Sequence, residues 1–193
     1  MIARPVARAI SASPALLEVR NASKVFGGVV ANAGIDMDVM AGSIVGLIGP
    51  NGSGKTTLFN SIVGFHRLDE GDVRFDGHVI RGMTVAQTAR RGLVRTFQQS
   101  HVYDRLSCLD NMRISTSHAG ETVFDMLRRL PGEFEERALH LLEFAGLYEQ
   151  RDVAGGELSY GQRKLLELAM ALMSRPKLLL LDEPTAGVNP TMI

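Results

Sequence analysis

A glycine-rich segment in the first third of the chain has the residue types and spacing that phosphate binding requires. Residues 49–57 read GPNGSGKTT and fit the pattern G-x-x-x-x-G-K-[ST]. Glycines let successive backbone N–H groups turn toward one anion, and the N-terminus of a following helix adds partial positive charge. We expect Lys55 to reach the β- and γ-phosphates of a nucleotide and the Thr56 hydroxyl to bind Mg²⁺. The residues expected to contact the phosphates are Gly49, Asn51, Gly52, Ser53, Gly54, Lys55, Thr56 and Thr57.

The segments on either side of this loop supply the context that the motif requires. Residues 43–48 form an apolar run, which predicts a central strand buried on both faces. A helical pattern follows from Leu58 to Val63. A chance glycine turn is the alternative, and it is disfavoured because the fixed positions and both flanks agree with the motif.

A second segment, near the C-terminal end, carries the acidic groups that phosphate chemistry needs. The leucines of 178–181 predict a buried strand, and Asp182 and Glu183 follow it directly. An aspartate at such a strand end binds the Mg²⁺ that the glycine-loop threonine holds from the other side. We therefore expect Asp182 to be a metal ligand and Glu183 to be the general base that takes a proton from the attacking water. A strand that ends in solvated acids is the alternative, and the glycine loop disfavours it.

A third segment combines a serine, a glycine and the start of a helix. Residues 158–162 read LSYGQ, and the apolar residues between 165 and 172 predict a helix that begins here. A serine hydroxyl, a glycine and a helix N-terminus together form a second anion site. An ordinary serine N-cap is the alternative. The position of LSYGQ, about twenty residues before Asp182, favours the functional interpretation.

The order of these motifs resembles that of the ATP-binding-cassette (ABC) ATPases, from about Leu16 to the last residue. The order is Walker A at 49–57, Gln98, LSYGQ at 158–162, Walker B at 178–183 and AGVN at 186–189. The resemblance implies that the cofactors are ATP and Mg²⁺. It also implies that Ser159, Gly161 and Gln162 act on ATP held by a second ABC ATPase subunit, in a head-to-tail homodimer or heterodimer.

Further residues take their expected roles from the same resemblance. Gln98 matches the Q-loop glutamine, which reaches Mg²⁺ and the attacking water. Phe26 lies where the family places an aromatic ring that stacks on adenine, and a phenylalanine buried in the core is the alternative. Residues 186–189 match the D-loop of the dimer interface, with Asn189 in place of the usual aspartate. Val102 and Tyr103 are candidates for contact with membrane subunits, and simple anchoring of their loop is the alternative.

Four segments look like those of ATPases from branched-chain amino acid importers. They are FGG at 26–28, GLVRTFQ at 92–98, LSYGQ at 158–162 and AGVNP at 186–190. Most ABC ATPases have glycine in place of Tyr160. Because the transported molecule never touches this subunit, urea, amides or an exported lipid remain alternative substrates.

The patterns predict an α/β fold with a P-loop NTPase (RecA-like) core, an N-terminal antiparallel β subdomain and an inserted α-helical signature subdomain. Strands are predicted at 16–21, 35–39 and 73–76, an extended segment at 93–97, and helices at 85–91, 107–117 and 134–145. We expect a disordered leader at 1–15 and an ABC domain at 16–193. The core of that domain spans about 16–98 and 166–193, and its helical subdomain about 99–165.

The amino-acid composition limits the classes of partner that the protein is expected to bind. Lysines and arginines number 21, as do aspartates and glutamates, so no electrostatic footprint for nucleic acid is present. No apolar run approaches the ~20 residues that span a membrane. Cys108 is the only cysteine, and we expect it to pack as a small apolar residue. By resemblance, the partners are integral membrane permease subunits, and the location is the cytoplasmic, inner face of the plasma membrane.

The C-terminal end lacks one element of the family pattern. An ABC ATPase continues after the D-loop to a strand and a switch histidine, whereas this sequence ends at Ile193 and none of its five histidines follows Glu183. We therefore expect an incomplete cassette that binds nucleotide with weak or no turnover. A nucleotide-binding or dimerisation module without catalysis is the corresponding alternative.

Overall fold

The computed structural model describes residues 15–96, 102–115 and 132–182. The chain divides into two compact units, with the boundary between Gly82 and Met83. Gln98, Glu183, the D-loop match at 186–189 and nearly all of the predicted leader lie outside the described residues.

An antiparallel sheet of four strands dominates the first unit, in the order β2-β1-β3-β4. The strands are β1 (Leu17–Phe26), β2 (Val29–Val39), β3 (Glu70–Phe75) and β4 (His78–Val79). The turn from β3 to β4 has positive φ at Asp76 (48°) and Gly77 (74°), which is typical of a type I′ hairpin. The predicted antiparallel subdomain is therefore confirmed, and β1 runs beyond its predicted end at residue 21.

The core of this unit lies between the sheet and one helix. Helix α1 (Lys55–Ile62) contacts β1 and β2, and Leu58 and Ile62 on it are buried. Leu17 on β1 and Phe75 on β3 are buried with them. Because α1 begins directly after the glycine loop, this packing fixes the helix end that faces any bound phosphate.

The apolar run before the glycine loop does not form the predicted strand. Residues 43–48 belong to neither sheet, and Ile44 and Ile48 are almost fully exposed. A buried parallel strand needs hydrogen-bonded neighbours, and the sheet of this unit is antiparallel and includes none of these residues. The prediction of a buried central strand was therefore wrong for this structure.

The second unit combines helices with a short parallel strand pair. Its elements are α2 (Val85–Arg90), β5 (Leu93–Arg95), α3 (Cys108–Ile114), α4 (Gly132–Phe144), two 3₁₀ turns at Tyr148–Gln150 and Gly155–Glu157, α5 (Tyr160–Met173) and β6 (Leu178–Leu180). Strands β5 and β6 pair in parallel, with Leu93 opposite Leu178 and Arg95 opposite Leu180. The predicted helices and strands of these regions are confirmed as far as the described residues extend, which excludes the predicted ends at residues 97 and 117.

Helices α3, α4 and α5 share one apolar cluster. It comprises Cys108, Met112, Ala138, Leu141, Leu142, Leu147, Leu158, Leu166, Ala169 and Met173. Burial raises the pKa of the Cys108 thiol, as expected for a small packing residue with no charged partner. Gly146 ends the run after α4 with a φ of 68°, at the position where the sequence pattern stops. This cluster supports the LSYGQ segment at the start of α5.

Candidate nucleotide site

Two glycines of the glycine loop lie where a Cβ would come too close to another part of the chain. Gly54 has a φ of 87° at the N-cap of α1, and a Cβ there would collide with the carbonyl oxygen of Ala31. A Cβ at Gly49 would lie 2.6 Å from the Oγ of Ser53. Asn51, Gly52 and Ser53 are exposed. The loop is therefore open to solvent on its outer side and closely packed on its inner side.

Lys55 places a positive charge against this loop. Its Nζ donates hydrogen bonds to the carbonyl oxygens of Gly49 at 2.7 Å and Pro50 at 2.8 Å. Thr56 and Thr57 follow in the first turn of α1, and both are half-buried. An ammonium group, a helix N-terminus and glycines in one short stretch favour an anion over any neutral ligand.

Asn32 is a supporting residue that the sequence motifs do not reveal. It lies on β2, it is 5% exposed, and its Nδ2 donates to the carbonyl oxygen of Gly54 at 3.2 Å. Its Oδ1 is buried without a hydrogen-bond partner among the described residues. The amide thereby ties the sheet to the start of α1. In the sequence, the available sign of this role is an asparagine that stands among apolar residues of β2.

Phe26 lies at the end of β1 and is 42% exposed, so its ring is not part of the core. His66 contacts it edge to face, with ring centroids 5.1 Å apart, and the Lys24 Nζ lies 5.2 Å from its centroid. Asp69 holds Lys24 through an Oδ1–Nζ contact of 2.9 Å and accepts the N–H of Val25 at 2.7 Å. The Lys24 contact and the backbone hydrogen bond lower the pKa of Asp69. These contacts orient a ring that remains accessible to a ligand.

Asp182 follows β6 in a buried position and is paired with Arg95. The Nη2 of Arg95 lies 2.8 Å from the Oδ2 of Asp182, and each side chain is 3% exposed. The sequence predicts Asp182 as a metal ligand but gives Arg95 no role. A charged residue within a short apolar strand was the available signal. Glu183 and Gln98, the two proposed catalytic residues, lie outside the described residues.

The LSYGQ segment forms a capped helix start. Ser159 is the N-cap of α5, where its Oγ accepts the N–H of Gln162 at 3.3 Å and its own N–H bonds to the Gln162 Oε1 at 2.9 Å. This is the capping box of an ordinary helix, so the structural alternative holds for Ser159. The hydroxyl is exposed and retains its proton for a further acceptor. A Cβ at Gly161 would meet no atom of residues 15–96, 102–115 or 132–182 within 4 Å.

Arg163 joins this helix start to the loop that precedes α3. Its Nη1 lies 2.9 Å from the Oδ1 of Asp104, and its Nη2 donates to the Gly156 carbonyl at 2.7 Å. Its Nε donates to the carbonyl of Leu158 at 3.3 Å. One guanidinium thus spans both segments.

Asn111 fixes the same loop from α3. Fully buried, it accepts the N–H of Tyr103 at 2.8 Å and donates from Nδ2 to the carbonyls of Tyr103 and Ser107. Val102 packs against the helical cluster, so anchoring describes this residue. The Tyr103 side chain is 54% exposed and remains available for a partner.

Comparison with known proteins shows the family to which the chain belongs. The sequence pattern of the ABC transporter family matches residues 33–186, more than half of the chain. The chain belongs to the ABC transporter family. The ATP-binding proteins of this family are ATPases that work with membrane permease subunits.

Relatives of this ABC protein align with it over most of its length. It is 38% identical over 182 residues to the high-affinity branched-chain amino acid transport ATP-binding protein BraF of Pseudomonas aeruginosa, covering 91% of this chain and 71% of BraF. It is 43% identical over 181 residues to a probable branched-chain amino acid transport ATP-binding protein, LivG, of Archaeoglobus fulgidus, covering 92% and 70%. It is 35% identical over 185 residues to LivG of Escherichia coli K12, covering 92% and 72%.

Solved structures agree with the fold. A nucleotide-free ATP-binding cassette from an ABC transporter superposes with a TM-score of 0.80 at 38% identity, covering 93% of this chain and 73% of that one. An ATP-binding cassette in its ADP conformation superposes with a TM-score of 0.81 at 38% identity and the same coverage. The predicted ABC cassette fold is therefore confirmed.

Each of the two units of this ABC protein carries one oxygen donor of the kind that Mg²⁺ prefers. Within residues 15–96, 102–115 and 132–182, no group of three or more His, Cys, Asp or Glu is arranged to hold a metal ion by itself. Magnesium bound with a nucleotide needs few protein ligands, since phosphate oxygens and waters complete its shell. The Thr56 hydroxyl and the Asp182 carboxylate are hard oxygen donors of this kind. In the same part of the chain, no helix has the length and apolar character to cross a membrane.

Proposed function

We propose that this chain binds ATP with Mg²⁺ at its glycine loop and hydrolyses it to power an importer of branched-chain amino acids. The observation that carries the proposal is the glycine loop itself. The positive φ of Gly54 and the Nζ contacts of Lys55 form an anion site at the N-terminus of α1. Neutral overall charge and the family membership disfavour nucleic acid as the partner.

Each element of the proposed site has a separate task. Backbone N–H groups from Gly49 to Thr57 hold the phosphates, and Lys55 leaves the loop carbonyls for the β- and γ-phosphate oxygens. The adenine stacks on Phe26, whose accessible ring is oriented by Lys24 and His66. Contact between an exposed aromatic face and a base adds affinity with little selectivity among bases.

The hydrolytic step uses a second set of residues. Bound Mg²⁺ would neutralise negative charge on the phosphates, with Thr56, Asp182 and Gln98 as the residues that hold it. Gln98 orients the attacking water, and Glu183 accepts its proton. Closure of the site around these groups excludes water and strengthens their electrostatic effect.

We assign the LSYGQ segment to a site completed by a second subunit, a homodimer or heterodimer partner in head-to-tail arrangement. Glycine in the first turn of a helix lowers stability relative to alanine, and none of the described residues lies within 4 Å of a Cβ built at Gly161. This open space leaves room for a ligand from outside the chain. The free proton of the Ser159 hydroxyl and the N-terminus of α5 suit a γ-phosphate.

The names of the relatives support the substrate. BraF and the LivG proteins are named for branched-chain amino acid transport, and their identity to this chain is spread over at least nine-tenths of its length. Integral membrane permease subunits are the corresponding partners, and they hold this subunit on the inner face of the plasma membrane. Tyr103 is the described residue best exposed for contact with them.

Binding and turnover measured side by side test the proposal. The 193-residue chain is incubated with Mg²⁺–ATP, released phosphate is followed, and a fluorescent ATP analogue is titrated in parallel. We expect Glu183→Gln to retain binding and to abolish whatever turnover the unaltered chain shows. Binding with no turnover in the unaltered chain would support the nucleotide-binding module instead. Absence of binding would contradict the proposal.

A further inference from the structure

The ion pair between Arg95 and Asp182 is the strongest unassigned feature of the site. Arg95 ends β5, Asp182 lies two residues after the end of the parallel strand β6, and their Nη2–Oδ2 distance is 2.8 Å. Each side chain is 3% exposed, so water contributes little to the solvation of either charge. A buried carboxylate without a compensating charge is strongly unfavourable, and Arg95 supplies that charge here.

The same carboxylate is the proposed Mg²⁺ ligand, so Mg²⁺ and the Arg95 guanidinium would both bind to it. An arginine fork binds a carboxylate through fixed donors and cannot lose its proton. A metal ion at Asp182 therefore meets a carboxylate whose Oδ2 already accepts a hydrogen bond from the Arg95 guanidinium.

We propose that Arg95 is a positioning residue that holds Asp182 in the metal-free state and competes with Mg²⁺ for its carboxylate. The proposal rests on the proposed function of Asp182 as a metal ligand. By thermodynamic linkage, Mg²⁺ binding must weaken the Arg95–Asp182 contact by the same factor as Arg95 weakens Mg²⁺ binding.

The competition between Arg95 and Mg²⁺ also has a consequence for the segment that leads to Gln98, a proposed catalytic residue. Arg95 ends β5 and lies three residues before Gln98 in the sequence. A guanidinium released from Asp182 leaves a buried position at the end of β5. Metal binding is thereby coupled to the strand that leads to Gln98.

The test uses Arg95→Met, Arg95→Lys and two reference variants. Arg137→Met is the matched control, because Arg137 is a partly buried arginine whose Nη2 donates to the Leu172 carbonyl and which forms no ion pair with an acidic group among the described residues. Asp182→Asn removes the contested charge. The chain is bound to a non-hydrolysable ATP analogue, and two quantities are measured: the thermal midpoint in EDTA and in Mg²⁺, and the affinity for Mn²⁺ by electron paramagnetic resonance.

We expect Arg95→Met to lower the midpoint in EDTA and to gain more from Mg²⁺ than the unaltered chain does. Its Mn²⁺ affinity rises by about fivefold or more, and that of Arg95→Lys rises less. Arg137→Met lowers the midpoint in EDTA and in Mg²⁺ alike. If Arg95→Met does not fold, the Mn²⁺ affinity of Arg95→Lys decides.

Two results separate the two claims. If Mg²⁺ raises the thermal midpoint of the Arg95 variants and of the unaltered chain equally, and their Mn²⁺ affinities are the same, Arg95 does not compete with the metal. That result overturns the proposed competition but leaves Asp182 as a metal ligand. An Asp182→Asn variant that binds Mn²⁺ as tightly as the unaltered chain overturns the proposed role of Asp182 itself.

Discussion

Asn32 is a buried residue whose amide contacts the glycine loop. Its Nδ2 donates a hydrogen bond to the Gly54 carbonyl oxygen, and this contact links the sheet to the start of α1. Its Oδ1 is buried without a partner in the part of the chain that the structure describes. The residue thus carries both a stabilising contact and an unfavourable burial.

Replacement of Asn32 should separate these two effects. Asn32→Ala removes the hydrogen bond and leaves a space, so we expect the free energy of unfolding to fall by about 1–3 kcal/mol. Asn32→Leu fills the space and also removes the buried oxygen, so its loss should be smaller. Both variants should bind nucleotide more weakly. Urea unfolding and nucleotide titration measure these quantities, and equal stability in all three proteins would refute this account of Asn32.

A second prediction at the level of single residues concerns the reactivity of the Cys108 thiol. Burial in the helical cluster raises the pKa of its thiol, so the thiolate that reacts with disulfide reagents is scarce at neutral pH. The fraction of thiolate grows only as the pH rises through the elevated pKa. We expect the native chain to react with a disulfide reagent far more slowly than the urea-unfolded chain. Equal rates in the two states would show that the helical cluster is open.

The helix starts carry much of the proposed chemistry at the level of elements. Helix α1 presents its N-terminus at the glycine loop, and α5 presents its own at Ser159. Arg163 and Asn111 then fix the loop before α3 to the second of these. Each helix start is held by packing of its own unit.

Gly161→Ala tests whether the start of α5 acts in trans. Alanine favours the helix, so the free energy of unfolding should rise by less than about 1 kcal/mol. Dimerisation in the presence of ATP should be lost, because the methyl group enters space reserved for a ligand. Sedimentation of the variant with and without ATP measures this. Gly132→Ala is the matched control, since Gly132 also stands at the start of a helix and a Cβ there would meet no described residue within 4 Å. Loss of dimerisation in both variants would argue against a specific role for Gly161.

Local signals predicted the helices and the hairpins well. The helix predicted from residue 107 begins with Ser107 as its N-cap, and Ser159 caps α5, as its alternative interpretation stated. The apolar run at 43–48 was different. A strand buried on both faces depends on distant neighbours, and composition cannot specify them.

At the scale of the whole molecule, the order of motifs predicted the family more surely than it predicted the details of the site. The glycine loop belongs to the first unit, whereas LSYGQ and Asp182 belong to the second. The motifs assigned no role to Asn32, Arg95 or Arg163, because the contacts of these side chains join residues far apart in the sequence. Such contacts leave no spacing pattern to detect.

The most direct measurement is a calorimetric titration of ATP into the chain and into two lysine variants. Lys55→Ala removes the ammonium held against the glycine loop, while Lys177→Ala removes an exposed charge in the second unit. We expect saturable one-site binding by the unaltered chain, the same binding by Lys177→Ala, and at least about tenfold weaker binding by Lys55→Ala. Equal affinity in all three proteins would contradict the claim that the glycine loop binds the phosphates of ATP.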